Sequence, residues 1–554
     1  MTIRRQRRAA FPVLAAALAA AAALALAASL ALAAALAPAA AAAAPAPVAA
    51  PAPGAASARA AGPAPDRLRE QVRAYRSGHE LAIVKELAAF SSLRNVARDR
   101  ADIAANAAAL AAMLRRRGIA TRELVADGSP PAVYGELRSP GARRTVVVYA
   151  HYDGQPADPA DWHSHPWQPV LRTGPLPAGK DVDLASAPTP LPGEWRLFAR
   201  AASDDKGPIE AMLAALDALH AAGVAPSVNL KFFFEGEEEA GSPHLAAILE
   251  RHRDLLAADA WVFADGPVHQ SRRFQVIFGA RGYTGLQLTV YGPLRPLHSG
   301  HYGNWAPNPA ALLVQALASM RGPDGEILIP GFAQDVRPLS DGERRAAAAL
   351  PPVEDDLRRE LGVAWTEGKG ERLQDLVMRP ALNVLGLRAA QVGRETRNAI
   401  PTEAAAAIDF RLVPDQTPAR VHAQVEEHLR RLGFWIVTGE PDAPTRQAHG
   451  KLARLEWVEG YPGARTAMDL PASRAVVQAV EEGLGGPVLQ VPMLGGSLPL
   501  YLFSDTLKVP LIAVPTVNYD NSQHAADENL RLQNLWDGIE VFAAIFARVG
   551  YDWP

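Results

Sequence analysis

Short apolar runs that alternate with helix-length stretches constrain this chain more than any other feature. The runs fall at 145–149, 230–234, 261–263, 274–278 and 511–514, rich in β-branched and aromatic residues, and several are apolar throughout. A strand without a polar side must be covered on both faces, as in a parallel sheet flanked by helices. Helical stretches lie among them, at 208–222 and 245–256, and two more with charged faces come first, at 66–92 and 101–117. Gly118 stands where a left-handed residue closes the second of these. Strands alternating with helices predict an α/β domain with a mostly parallel central sheet.

The middle of the chain has another rhythm. Strand-like runs at 284–290, 383–387, 404–412 and 435–438 accompany amphipathic helical stretches at 309–320 and 419–432. Pro418 opens the second, at a position where its missing N–H costs nothing. This predicts an α+β domain inserted at 281–460 between two parts of the first domain, 66–280 and 461–554. A length of 554 residues is enough for two or three domains. The charged, proline-containing stretch 335–378 has no assignable element, and no internal repeat is evident.

Ahead of the fold, Arg4, Arg5, Arg7 and Arg8 precede an almost unbroken Ala/Leu run to Ala37 and an Ala/Pro stretch to Pro65. Basic start, apolar run and small residues describe a signal peptide over 1–45, followed by an Ala/Pro linker over 46–65. The chain is therefore expected to be exported, to a periplasm or out of the cell. The alternative is an uncleaved membrane anchor, since the run is long enough to span a bilayer.

A formal net charge of -3 gives no electrostatic footprint for nucleic acid or an anionic membrane surface. There is no cysteine, which excludes disulfides and thiolate metal sites. A metal would be held by His, Asp and Glu.

Five segments place such residues just after a predicted strand or at the start of a helix, where open α/β sheets build their sites. The first ends a strand with His151 and Asp153, an imidazole and a carboxylate able to orient it. The second, Ser203-Asp204-Asp205-Lys206-Gly207-Pro208, opens a helix. It also fits an ordinary N-cap. The third, Glu235-Gly236-Glu237-Glu238-Glu239-Ala240-Gly241-Ser242, crowds four carboxylates at a strand end. A solvated acidic turn or a dication beside a carboxylate base would each relieve their repulsion. The fourth is Asp265-Gly266, by itself a turn, and the fifth is His524, by itself a loop histidine. Together they form a hard-ligand set suited to zinc or a similar dication.

The order and setting of these motifs resemble the di-zinc metallopeptidase family of carnosinases, bacterial dipeptidases, glutamate carboxypeptidases and aminoacylases, and most of all its carnosinase-like dipeptidase branch. The resemblance runs from about Asp66 to Tyr551. It includes Trp162…Pro166-Trp167, Leu297-His298-Ser299-Gly300, Ile400-Pro401, Phe410-Arg411-Leu412-Val413-Pro414 and Gly495-Gly496-Ser497-Leu498-Pro499. It implies a zinc-peptidase catalytic domain interrupted by a lid and dimerisation domain, with two Zn2+ per subunit that Co2+ or Mn2+ can replace. Asp204 would bridge the metals, His151 and Asp265 completing one site and Glu239 and His524 the other. Glu238 would be the general base on the bridging water, and Asp153 would support His151. His298 would polarise the scissile carbonyl from a partner subunit in a homodimer, Arg411 would bind the substrate carboxylate, and the turn at Gly495, Gly496 and Ser497 would lie beside the substrate.

Taken singly, His298 also fits a turn residue and Arg411 an ordinary strand arginine. Asp205 is not expected to bind metal, and Lys206 has no derivable role. The acidic run leaves the base one residue ambiguous, although the following Gly-Ser favours Glu238 over Glu237. The family's Gly-Arg-Gly before the bridging Asp survives here only as Arg200, between Ala199 and Ala201. An extra Gly/Pro-rich stretch at 173–194 is expected as a loop at the mouth of the site.

The expected activity is metal-dependent hydrolysis of amide bonds in dipeptides or small peptides with a free C-terminal carboxylate. The alternatives are an N-acyl amino acid amidohydrolase and an inactive exported peptide-binding protein.

Overall fold

The computed structural model describes residues 62–497 and 500–553. The expected signal segment and nearly all of the expected linker lie outside the described residues, as do Leu498 and Pro499. No described helix is long and apolar enough to cross a membrane.

Helix α1 (Pro65–Ser91) starts on a proline, and Asp99 caps α2 (Arg100–Arg116) by accepting from the N–H groups of Ala101 and Asp102. The chain then forms β1 (Ala120–Leu124), β2 (Ala132–Leu137), β3 (Thr145–His151), α3 (Lys206–Ala221), β4 (Asn229–Glu235), β5 (Ala260–Phe263) and β6 (Gln275–Ile277). A second group follows: β7 (Gly279–Tyr291), α4 (Pro309–Met320), β8 (Ala381–Arg388), β9 (Glu403–Leu412), α5 (Pro418–Arg431), β10 (Trp435–Val437) and β11 (Leu452–Tyr461). The chain ends with α6 (Pro471–Leu484), β12 (Leu489–Val491), β13 (Leu511–Ala513) and α7 (Leu532–Asp552).

The first sheet has the order β1-β2-β4-β3-β5-β13-β6-β12. Its centre, β4-β3-β5-β13, is parallel, while β1 and β2 add an antiparallel edge. The apolar runs are explained by two buried faces. Val146, Val148, Phe232, Phe234 and Val262 pack into a core shared with α3 and α7. Val147, Tyr149, Phe233, Trp261 and Phe263 face the other way, against helices Leu245–Arg251 and Leu500–Leu507. Each such side chain is worth about 1.5–3 kcal/mol of burial. The register sets His151 opposite Glu235 and Tyr149 opposite Phe263, so the carboxyl ends of β3, β4 and β5 converge.

The second sheet has the order β8-β9-β7-β11-β10 and is covered by α4 and α5. Strand β7 joins the two sheets. Its first residues pair with Ala464–Arg465 and Leu494–Ser497, and from Gly282 onward it pairs with β9. Only glycine fits at 282, where a Cβ would stand 2.3 Å from the Tyr461 carbonyl oxygen. Strand β8 is an open edge, with Val384, Leu385 and Leu387 exposed.

Four expectations need correction. The helical stretch 245–256 is broken at His252 into Leu245–Arg251 and Arg253–Leu256, and nothing in the sequence accounts for the break. The unassigned 335–378 stretch forms helices Asp341–Ala349, Glu354–Leu361 and Leu373–Val377, the first held by a Ser340/Glu343 capping box. The Gly495–Ser497 turn is extended, because Leu494–Ser497 pairs with β7. The 173–194 insertion is anchored on α1 and α7, where the Leu191 N–H donates to the buried Glu80 carboxylate and the Gly193 carbonyl accepts from the Gln533 N–H. None of its residues lines the cavity beside Glu238.

Candidate active site

Strand β3 delivers His151 as its last residue, and Asp153 follows in the turn; both are fully buried. The Asp153 carboxylate has three contacts. Its Oδ1 lies 3.4 Å from His151 Nδ1, and its oxygens accept from the N–H groups of Glu238 (3.2 Å) and Glu239 (2.9 Å). One carboxylate thus steadies both the imidazole and the acidic turn after β4.

Asp204 stands just before α3, across a cis peptide bond to Asp205. Its Oδ1 is 2.9 Å from His151 Nε2 and its Oδ2 is 3.0 Å from His524 Nε2. His524 Nε2 is also 3.1 Å from Glu239 Oε2. Asp265 follows β5. The structure gathers these side chains into two groups, His151–Asp204–Asp265 and Asp204–Glu239–His524, each with its donor atoms within 4.8 Å of one another. Asp204 belongs to both.

The electrostatics fit a cation in each group. Burial pushes the Asp265 carboxyl up to about 7, the Asp204 charge adding to it. Burial also pushes Glu238 well above the carboxylate range. Burial opposes ionisation of Asp204 as well, but hydrogen bonds from His151 and His524 hold its carboxyl below the usual range. Hydrogen bonds to Asp204 and Glu239 raise His524 to about 10. Without a cation, burial favours protonation of part of this cluster. Bound dications would let the carboxylates ionise and the histidines act as neutral ligands. The oxygen and imidazole donors match hard or borderline divalent metals.

Glu237 and Glu238 part company. Glu237 is buried against His244, accepting from its backbone N–H at 2.9 Å and lying 2.9 Å from its Nδ1. Glu238 instead lines a cavity of about 520 Å³ together with Glu239, His524, Ser497, Tyr461 and Tyr501. Gln155, which the sequence did not single out, reaches the same place and donates from Nε2 to Glu239 Oε2 at 2.9 Å.

Arg411, at the end of β9, donates from Nη1 to Ser497 Oγ at 2.8 Å and from Nε to Asp409 Oδ2 at 3.1 Å. Its guanidinium lies over the Tyr283 ring. Ser497 in turn donates to the Gly282 carbonyl, and the neighbouring Gly496 is exposed. Arg411 and Ser497 therefore meet where the two sheets join.

His298 stands apart. It lies on the short strand Leu297–His298, is exposed, and contacts the Gly300 N–H and the His301 ring. No described hydrogen bond or ion pair links it to the carboxylate cluster. Asp205 is in neither donor group; its Oδ2 accepts from the His151 N–H at 3.3 Å. Lys206 proves structural. Fully buried, its Nζ donates to the carbonyls of Phe90 (2.8 Å) and Leu93 (3.1 Å), tying α3 to the end of α1.

Comparison with known proteins agrees with this geometry. The pattern of peptidase family M20/M25/M40 matches residues 147–548. The Cys-Gly metallodipeptidase dug1 of Schizosaccharomyces pombe is 27% identical over 443 residues, covering 78% of this chain and 86% of that protein. The human Beta-Ala-His dipeptidase is 28% identical over 426 residues, covering 75% and 77%. Among solved structures, the M20 family metallo-carboxypeptidase Sso-CP2 from Sulfolobus solfataricus aligns with a TM-score of 0.67 at 24% identity, over 85% of this chain and 99% of that one. Human carnosine dipeptidase 1 aligns with a TM-score of 0.64 at 24% identity, over 89% and 100%. Both structural likenesses are of fold. With its sequence matched across most of its length, the chain belongs to peptidase family M20/M25/M40.

Proposed function

We propose that this protein is a metal-dependent dipeptidase, using two zinc ions per subunit to hydrolyse dipeptides that carry a free C-terminal carboxylate. The observation that carries the proposal is the pair of donor groups sharing Asp204, of which Glu239 and His524 line one cavity together with Glu238. The dipeptide substrates in the names of two relatives point the same way.

In this reading His151, Asp204 and Asp265 would hold one ion, and Asp204, Glu239 and His524 the other. The ions supply positive charge that polarises the scissile carbonyl and makes water acidic near neutral pH. Glu238 takes the proton of the attacking water and passes it to the leaving amine, a role worth about 10²–10⁴-fold. Asp153 keeps His151 oriented and the Glu238–Glu239 turn in place. Arg411, already paired with Ser497, is placed to accept a substrate carboxylate in a forked contact.

His298 belongs to the same proposal as the donor to the developing oxyanion, supplied across a homodimer. Its Nδ1 accepts from the Gly300 N–H, which leaves the proton on Nε2, the tautomer able to donate to oxygen. The open β8 edge with exposed Val384, Leu385 and Leu387 supports a second copy at the lid, since an unpaired edge is a template for pairing. Export through the 1–45 segment rests on the basic start and the Ala/Leu run alone.

A substrate panel tests the proposal. Zinc-loaded protein should cleave dipeptides with a free carboxyl group much faster than their C-terminal amides or N-acyl amino acids. Preference for N-acyl amino acids over every dipeptide would refute the substrate assignment.

A further inference from the structure

Two proposed metal ligands sit on segments remote in sequence, Asp204 before α3 and His524 in the loop after β13. A single buried carboxylate, Glu528, joins these segments. It is 1% exposed. Its Oε1 accepts from the Ser203 N–H (3.0 Å), the Ser203 hydroxyl (2.8 Å) and the Asp204 N–H (3.0 Å). Its Oε2 accepts from the Ala201 N–H (2.8 Å) and Arg200 Nη1 (2.9 Å). Arg200 Nη2 then reaches the carbonyl of Ala525, the residue after His524, at 3.1 Å. Five donors on one buried carboxylate use its acceptor capacity fully.

The backbone around this carboxylate is strained. Ala201, Ser522, His524 and Asp527 all have left-handed φ, between 57° and 62°. Such residues persist only where their surroundings over-determine them. Glu528 supplies that restraint directly at Ala201. Through Arg200 it also bears on the loop holding His524.

We propose that Glu528 is a positioning residue for the dinuclear centre: with Arg200 it sets the Asp204 backbone against the His524 loop, so that both histidines can share one Asp204 carboxylate. The inference rests on the metal-dependent reading above.

The test is titration of metal-free protein with Co2+, followed by visible absorption, in wild type and Glu528→Gln. The measurement is made at a temperature where circular dichroism finds both folded. Glutamine keeps the shape but turns an amide N–H₂ toward the N–H donors. The expected result is an altered cobalt spectrum and affinity weaker by about 10–100-fold, as for other groups that orient metal ligands. A lower melting temperature with wild-type cobalt affinity and spectrum would make Glu528 merely structural and overturn the inference. Should Glu528→Gln not fold, Ser203→Ala carries the test. It removes one donor of the five and should weaken cobalt binding by about 2–10-fold; unchanged affinity contradicts the inference. Wild-type protein that takes up no Co2+ sinks the metal reading and this inference together, whereas tight wild-type binding matched by the variants sinks this inference alone.

Discussion

The carboxyl end of the parallel sheet and the lid bring different kinds of groups to the chemistry. At the sheet, His151, Asp153 and Asp204 are buried, and each is held by partners from other segments. Their positions were fixed when the protein folded. In the lid, His298 is exposed and held by its own turn, close in sequence to nothing that would complete a site. The contrast teaches that one chain can assemble a donor cluster by itself, whereas the oxyanion role proposed for His298 needs a second surface. Each prediction below attacks one side of this contrast.

The largest effect is expected at the buried side. Glu238→Gln should bind metal and fold normally yet lose about 10²–10⁴-fold in kcat, because the amide cannot take the proton. Glu237→Gln, whose carboxylate faces His244, should lose far less, and steady-state kinetics of the pair settles the register of the acidic run.

At the exposed side, His298→Ala should lose about 10²–10³-fold in kcat with wild-type metal content, measured by elemental analysis. Mixing it with Glu238→Gln subunits should restore part of the activity, since one site of a mixed dimer has both groups. If subunits exchange and no activity returns, His298 does not act across a dimer. Leu385→Asp on the β8 edge should shift the protein toward monomers in sedimentation and lower kcat without releasing metal.

Arg411→Ala should act mainly on KM, raising it about 10–100-fold for dipeptides with a free carboxylate, in line with a lost charged hydrogen bond. Its effect on C-terminal amides should be small. The smallest effect is expected for Ala201→Gly. It relieves a left-handed residue, a strain of about 1–2 kcal/mol, part of which is offset by glycine's greater freedom when unfolded. A rise of a few degrees in melting temperature is expected, and a fall would contradict the strain argument.

The parallel sheet was legible because its strands bury both faces and so carry no polar alternation, as at Val146–Val148 and Phe232–Phe234. Helix α7 was not, for a related reason. Ile539, Phe542, Ile545 and Phe546 are buried within a helix covered nearly all round, so that even its polar residues Glu540 and Arg548 lie inside. Gly495 and Gly496 are expected in a turn from the family resemblance, but pairing with β7 decides their conformation. The side chains of the acidic and histidine motifs were legible one by one, whereas their supports were not. Gln155 and Lys206 act through partners 84 and 116 residues away, and no local pattern announces such contacts.

The central claim is that these donors hold metal and that the metal is needed for turnover. It is tested most directly by removing the metal with a chelator and adding zinc back while following dipeptide hydrolysis. Activity should vanish on chelation and return in proportion to zinc, reaching a plateau at two ions per chain. The melting temperature should rise over the same range, because binding to the native state stabilises it. Full dipeptide hydrolysis by protein shown to be metal-free would contradict the account.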